Sequence, residues 1–262
     1  MFSTLSKFGR RVQIKTSSLF CFLKEVLEGK VNKGYCQICD SQTRFIEKDP
    51  WLRDFYVCQK CYSIPRQRAI IVVLNQFYPD WKNLKIHESS PGGPSSKTIE
   101  KHCAEYTATQ FFQDILLGNS KDGIRCENLE KMTFENNSFD LMITQDVFEH
   151  VMNPLDAFKE IERVLTPGGA HVFTMPWYPK LDKTVQRARQ LDNGEIEFLE
   201  EAIYHGNPID SKGSLVTFDW GLDFTDFIYA NSGMLTTIYR EKDRSKGIDG
   251  EFLEVFISRK SQ

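Results

Sequence analysis

The spacing of apolar residues changes along the chain, and each change marks an element. Leu19, Phe22, Leu23, Val26 and Leu27 fall on one helical stripe. Lys7, Arg10, Arg11, Lys15 and Lys24 surround it, so the segment suits docking on the rest of the chain better than a membrane surface. Ala69, Ile70, Val73, Leu74 and Phe77 predict a linking helix over 65–78. From residue 83 onward short apolar runs alternate with helical patterns. Strands are predicted at 84–88, 107–112, 139–144 and 170–175, with a helix of about eleven residues ending near Tyr106. A further helix starts at Asn153-Pro154, because Asn caps well and Pro lacks only an N–H that is unused there. Leu155, Phe158, Ile161 and Leu165 form its stripe, and Thr166-Pro167-Gly168-Gly169 is read as its stop.

Strands alternating with helices imply parallel pairing through right-handed crossovers, an α/β doubly wound sheet. The end of the chain differs. Residues 223–232 read as a helix, and 234–239 and 252–258 as an antiparallel pair whose charged connection, 241–250, reads as a hairpin loop. Periodicity is weak over 178–222. The organisation expected is a basic helical segment (1–33), a cysteine-bearing module (34–64), a linking helix (65–82) and an α/β domain (83–262) with an insertion at 178–222.

Composition narrows this picture. With 40% apolar and 26% charged residues in 262, the chain is not disordered or fibrous. No stretch reaches the roughly 18 apolar residues of a membrane helix. The run Leu19–Leu23 is too short for a secretory core, so a soluble, cytoplasmic protein is expected. Residues 1–82 hold 14 Lys+Arg against 7 Asp+Glu, and residues 83–262 hold 19 against 29. Such asymmetry fits either two units with different partners or a basic module docked on an acidic one.

Seven cysteines do not suggest a disulfide framework. Cys36-x2-Cys39 and Cys58-x2-Cys61 have the spacing of a four-thiolate metal site, favouring Zn2+. With all four positions filled by protein, such a site is structural. Cys21, Cys103 and Cys126 stand alone and read as small buried residues.

Ligands of doubly wound sheets bind at the carboxyl ends of the strands. There, Glu88 leads into a loop of small residues. Phe139-Asp140-Leu141-Met142-Ile143-Thr144-Gln145-Asp146-Val147-Phe148-Glu149-His150-Val151, then Asn153-Pro154 and Glu160-Ile161-x-Arg163-Val164-Leu165-Thr166-Pro167-Gly168-Gly169, resembles the class I S-adenosylmethionine-dependent methyltransferases of the type 11 branch. The resemblance covers about 83–176 and the closing helix and strand pair. It implies a seven-stranded Rossmann-like sheet. It places the glycine-rich cofactor loop on Glu88, Ser89, Ser90, Pro91, Gly92 and Gly93, with serines where the family has its first glycines. It puts the ribose-binding position on Gln110, the adenine contacts on Asn128 and Leu129, and Gln145, Asp146 and His150 towards the sulfonium and acceptor.

A class I methyltransferase acting on a small-molecule or sugar-containing acceptor follows. His150 and His205 are candidate bases if the acceptor is a hydroxyl, with Asp146 and Glu149 as secondary ones. Trp177, Tyr178, Tyr204, His205, Phe218 and Trp220 suggest that 178–222 caps the acceptor. Two alternatives stand beside this. One is an RNA methyltransferase whose ribbon delivers substrate through Lys60, Arg66 and Arg68, although the chain is acidic overall. The other is a non-catalytic binding protein on a degenerate fold. Sequence leaves the oligomeric state open.

Overall fold

The computed structural model describes residues 30–206 and 212–262. The stripe at 19–27 lies outside the described residues. The cysteine module is an antiparallel sheet of β1 (Val31–Cys36), β2 (Ser41–Glu47) and β3 (Tyr56–Cys58), with a single helical turn α1 (Leu52–Phe55) before β3. The linking helix α2 (Pro65–Phe77) follows. The α/β part runs β4 (Lys85–Ser89), α3 (Gly93–His102), β5 (Glu105–Gln110), β6 (Ser120–Lys121), β7 (Ile124–Cys126), β8 (Phe139–Gln145), α4 (Pro154–Val164) and β9 (Leu165–Thr174). The 178–222 segment adds short strands: β10 (Val185–Gln186), β11 (Ala188–Gln190), β12 (Ile196–Phe198), β13 (Tyr204–His205), β14 (Ser214–Leu215) and β15 (Phe218–Asp219). Helix α5 (Phe224–Ser232), β16 (Leu235–Tyr239) and β17 (Val255–Arg259) close the chain.

The main sheet has the order β16-β17-β9-β8-β4-β5-β7-β6. Pairing is parallel from β7 through β9 and antiparallel at both ends. The expected seven strands are eight. The extra one, β6, is turned back by Asp122-Gly123, both at positive φ, a hairpin turn whose Asp-Gly signature stands in the sequence.

Three local expectations are corrected. Helix α3 ends at His102, before Tyr106, and β5 starts at 105 instead of 107. Tyr106 belongs to the strand because its hydroxyl donates to Glu88 on β4 (2.7 Å). The Thr166–Gly169 segment does not cap α4. The chain is already extended at Leu165, and Pro167 restrains Thr166 to extended backbone. Gly168, at φ +79°, and Gly169 instead serve an irregularity of β9 opposite Phe139–Leu141, where a Cβ on Gly169 would press on the Asp140 carbonyl.

The 241–250 connection is no free hairpin loop. Gly34 leaves room for the Ser245 carbonyl, and Gly247 lies flat on the Phe45 ring. Arg68, fully buried, donates to the carbonyls of Gly247 (3.0 Å from Nε) and Tyr56 (2.6 Å) and to that of Ser63. Arg244 pairs with Glu47 and with Asp249 (2.8 Å). Helix α2 shows why the module stays in place. Ala69 to Leu74 are all buried, off-stripe Ile71 and Val72 included, because α2 is sandwiched between module and sheet. Each such aliphatic side chain contributes about 1.5–3 kcal/mol. One apolar core runs from Cys36, Phe45 and Tyr56 through α2 to Ile86, Val172 and Ile257. A second core, on the opposite face, joins α4 and α5 to Trp177 and to Trp220 of the inserted segment 178–222.

Candidate active site and metal centres

The β1–β2 and β3–α2 turns each present one cysteine pair. Cys36 and Cys61 have sulfurs 3.7 Å apart, Cys39 and Cys58 3.9 Å, and all four lie within 4.8 Å of one another. Zn–S bonds of about 2.3 Å would set the sulfurs roughly 3.8 Å apart at the corners of a tetrahedron. The donors present therefore fit a four-thiolate ion. Cys103 and Cys126 are buried singly, Cys103 donating to the Leu84 carbonyl (3.2 Å), and Cys21 lies outside the described residues.

At the carboxyl edge of the sheet, Glu88 is wholly buried. Ser96 Oγ (2.7 Å) and Gln145 Nε2 (2.8 Å) donate to its Oε1, and Tyr106 Oη (2.7 Å) to its Oε2. Burial raises its pKa, and these three donors oppose the rise. Gln145 in turn accepts from Ser95 (2.9 Å), so the end of β8 is tied to the start of α3. Ser89 is buried at the end of β4. Ser90 adopts φ +55°, the conformation glycine would take without strain, and its N–H donates to Thr109 (2.8 Å). Pro91 continues the loop. Gly92 faces open space, and its N–H donates to Ser96 Oγ (2.9 Å). Gly93 has φ +75°, and a Cβ there would strike the Gln67 amide of α2.

Gln110 ends β5, the strand next to β4. Asn128 follows β7, but its Oδ1 accepts from the Glu130 N–H (2.9 Å), so this oxygen already closes a turn. Leu129 is buried with Met132 and Phe148.

Asp146, at φ +53°, follows β8. Its Oδ2 meets Arg53 Nη2 (2.7 Å) and Arg66 Nε (3.2 Å), and its Oδ1 accepts from Thr174 Oγ1 (2.9 Å). Burial works to raise its pKa, but the Arg53 and Arg66 charges, with hydrogen bonds from Arg53 and Thr174, prevail and hold it below the ordinary carboxylate value. A carboxylate so engaged is suited to holding charge, not to accepting a proton.

One turn further on the arrangement reverses. Glu149 is 2% exposed, and neither of its oxygens has a hydrogen-bond partner among the described residues. Burial, with the Asp146 charge added, pushes its pKa well above the ordinary value. His150 Nδ1 lies 2.8 Å from the Leu215 carbonyl. A carbonyl only accepts, so Nδ1 carries the proton and the Nε2 lone pair is free. That Nε2 is 3.8 Å from Glu149 Oε1, and the His150 and His205 rings meet edge to face at 5.2 Å. Burial lowers the pKa of both histidines. The turn is strapped from outside. Thr217 N (2.7 Å) and Oγ1 (3.0 Å) donate to the Glu149 carbonyl, Thr217 Oγ1 also to Val151 (2.7 Å), and Trp220 Nε1 to Phe148 (3.3 Å).

Histidine alone does not mark this place. His87 and His171 are fully buried in the sheet, pushed down to about 3 by burial, each with Nε2 against a threonine hydroxyl. Arg53, Gln67, Tyr106 and Ser96 escaped the sequence reading, and Arg66 entered it only as an RNA contact. Tyr106 and Ser96 stood within predicted elements, whereas Arg53, Arg66 and Gln67 reach the edge only through tertiary packing. A cavity of about 720 Å3 opens beside Arg53, between Trp177 and Tyr178 after β9 and Arg240, Phe252 and Leu253 of the β16–β17 connection. Arg53 Nε donates to the Phe252 carbonyl (3.3 Å) at its rim.

Residues 90–173 match the family described as a methyltransferase domain. No curated protein matches the chain. Among solved structures, an S-adenosylmethionine-dependent methyltransferase from Mesorhizobium loti is 18% identical with a TM-score of 0.48, over 73% of this chain and 98% of its own. The 1,6-didemethyltoxoflavin-N1-methyltransferase of Burkholderia thailandensis is 12% identical with a TM-score of 0.46, over 75% and 79%. Phosphoethanolamine N-methyltransferase 2 of Haemonchus contortus is 14% identical with a TM-score of 0.43, over 74% and 53%. No helix of the described residues is long and apolar enough to cross a membrane.

Proposed function

We propose that this chain, whose residues 90–173 match a methyltransferase domain, is a class I S-adenosylmethionine-dependent methyltransferase and that it methylates a compact, non-polymeric acceptor, a small molecule or a sugar-containing one, at a hydroxyl. The observation that carries the acceptor side is the meeting of His150 with His205. The inserted segment brings a second imidazole to the free Nε2 beside the end of β8. Segments after the strands build the ligand site in this architecture, and a cover there also excludes water.

The cofactor lies between Glu88–Gly93 and Asn128–Asp146. Its fit rests on the small-residue loop, with open space over Gly92 and the left-handed turn at Ser90. When bound, it supplies an electrophilic methyl group on a sulfonium sulfur. Glu88, locked by Ser96, Tyr106 and Gln145, holds the loop and the polar end of the cofactor. Gln110 lies at the ribose, Asn128 and Leu129 at the base, and Gln145 at the methionine end. With no metal bound there, His150 or His205 takes the acceptor proton, and Asp146, tied to two arginines, keeps its charge beside them. Cys36, Cys39, Cys58 and Cys61 hold one structural zinc, which keeps Arg53, Arg66 and Gln67 over the cofactor edge.

The RNA alternative draws no support from Arg66 and Arg68, since Arg68 is buried and Arg66 is engaged by Asp146. Calorimetry with S-adenosylmethionine tests the premise. The parent binds, and Glu88→Ala binds at least tenfold more weakly. Equal binding by both overturns the placement. Formation of S-adenosylhomocysteine with polyhydroxylated small molecules, and none with structured RNA at any salt, is the outcome expected for the acceptor.

A further inference from the structure

We infer that Glu149, His150 and His205 form a second metal centre, a divalent transition-metal site facing the acceptor. The inference deepens the proposed function, on whose acceptor side it rests. Three ligand atoms, one from each residue, lie within 4.8 Å of one another. Two imidazoles and a carboxylate suit Zn2+, Mn2+, Fe2+ or Co2+ better than the harder Mg2+ or Ca2+.

The orphaned carboxylate points to the ligand independently of this clustering. Glu149 is buried, yet both its oxygens lack a partner among the described residues. A buried polar group left unpaired is costly, and such groups in folded proteins are paired with charges or coordinate metals. Its counterpart at the same edge, Glu88, has three donors. The turn carrying Glu149 is not loosely built, because four hydrogen bonds from Thr217 and Trp220 hold its backbone.

The histidines are oriented for ligation. The Leu215 carbonyl takes the Nδ1 proton of His150 and so presents Nε2 as a lone pair, which is the outer arrangement that metal-binding imidazoles need. Closing the set asks for little movement. Ligand atoms around an ion at about 2.1 Å stand roughly 3.0–3.5 Å apart, and Glu149 Oε1 and His150 Nε2 are 3.8 Å apart. His205 sits on β13, paired with β14, and its ring already meets that of His150 edge to face at 5.2 Å.

Three protein ligands leave coordination positions open, as in catalytic rather than structural sites. An acceptor hydroxyl seated there loses its proton more readily. Its O–H bond breaks with the proton passing to water. The oxygen bonds the methyl carbon as the C–S bond breaks, and that electron pair stays on sulfur as neutral S-adenosylhomocysteine. In this arrangement the two histidines hold the ion, and neither accepts the proton.

The test uses the full chain with its cysteine site loaded with zinc, titrated with Mn2+ and followed by paramagnetic resonance, and in parallel analysed for total zinc. The parent is expected to take one further equivalent of Mn2+, or two of zinc in all. Glu149→Gln and His205→Gln should each weaken the second equivalent at least tenfold, leave the first in place and, with the second site empty in all samples, unfold at the temperature of the parent or above. A parent that binds neither Mn2+ nor a second zinc overturns the site, as do folded variants that bind as the parent does. S-adenosylmethionine calorimetry on the same samples reads the methyltransferase function separately, so failure of one does not count as failure of the other.

Discussion

Two buried glutamates stand at the carboxyl edge of the sheet, and they are finished in opposite ways. Glu88, at the end of β4, has its oxygens filled by Ser96, Tyr106 and Gln145. Glu149, just beyond β8, has none filled among the described residues. Burial raises the pKa of both, but only at Glu88 do side-chain donors oppose the rise; at Glu149 its own backbone N–H and the charges of Arg53 and Arg66 oppose it, and burial with the Asp146 charge prevails. A satisfied group rigidifies what it touches, whereas an unsatisfied one adds a cost of about 1–3 kcal/mol, more when charged. The Glu88 region is therefore a completed support, and the Glu149 region is one that a ligand completes. Asp146 sharpens the contrast. Three residues before Glu149, it holds two arginines and a threonine, and its pKa moves down.

The largest effect is expected from the support that lies behind the Glu88 side. Chelating the zinc proposed for the cysteine site, or Cys58→Ser, should unfold the cysteine module, because a structural zinc contributes on the order of 10 kcal/mol, as much as a whole domain's margin. Arg53, Arg66 and Gln67 go with it, so thermal unfolding should shift strongly downward and S-adenosylmethionine binding should disappear. A chelated protein that melts and binds unchanged would separate the two regions entirely.

Next comes Glu88→Ala, which strands three donors and should cost about 3 kcal/mol in denaturant unfolding. The same measurement on Glu149→Gln in metal-free protein should show the opposite sign, a gain of about 1 kcal/mol, since a neutral amide replaces an orphaned carboxyl. If both substitutions destabilise alike, the contrast between the glutamates is false.

Their pH dependence gives a finer reading. Glu149, raised above its ordinary value of 4.5, contributes stability that is fully present below that value and lost as pH rises through the folded pKa. In metal-free protein, Glu149→Gln should flatten that loss. Asp146, lowered from 3.8, acts in reverse. Its contribution is present above that value and lost as pH falls through the lower folded pKa, so Asp146→Asn should remove only the acid limb. Unfolding midpoints from pH 3 to 8, taken for all three proteins, separate the two limbs.

The smallest effect is Thr217→Val. It removes the two hydroxyl bonds to the turn and should cost about 1 kcal/mol, while lowering Mn2+ affinity only a few-fold. An unchanged unfolding midpoint would mean that Trp220 and the Thr217 backbone hold the turn without it.

Much of the frame was legible because it depends on neighbours in the chain. The two CxxC turns, the Asn153-Pro154 helix start and the alternation of strands with helices each rest on residues a few positions apart, where backbone preference and periodicity act. The Asp122-Gly123 hairpin was equally local, and was missed only because its strands are two and three residues long. The limits of α3 and β5 were not local, since Tyr106 is drawn into the strand by Glu88 on another strand.

By itself, then, the sequence determined the parallel core, the cysteine spacing and the family of residues 90–173. Tertiary structure decided what those parts face. Arg53 reaches Asp146 across 93 positions, Gln67 lies over Gly93, Arg68 locks onto Gly247, and His205 is carried to His150. No periodicity encodes such meetings, because a single charged or polar side chain leaves no repeating pattern. Its partner is set by which loop the packed core brings past it, and its worth by how completely that packing removes water.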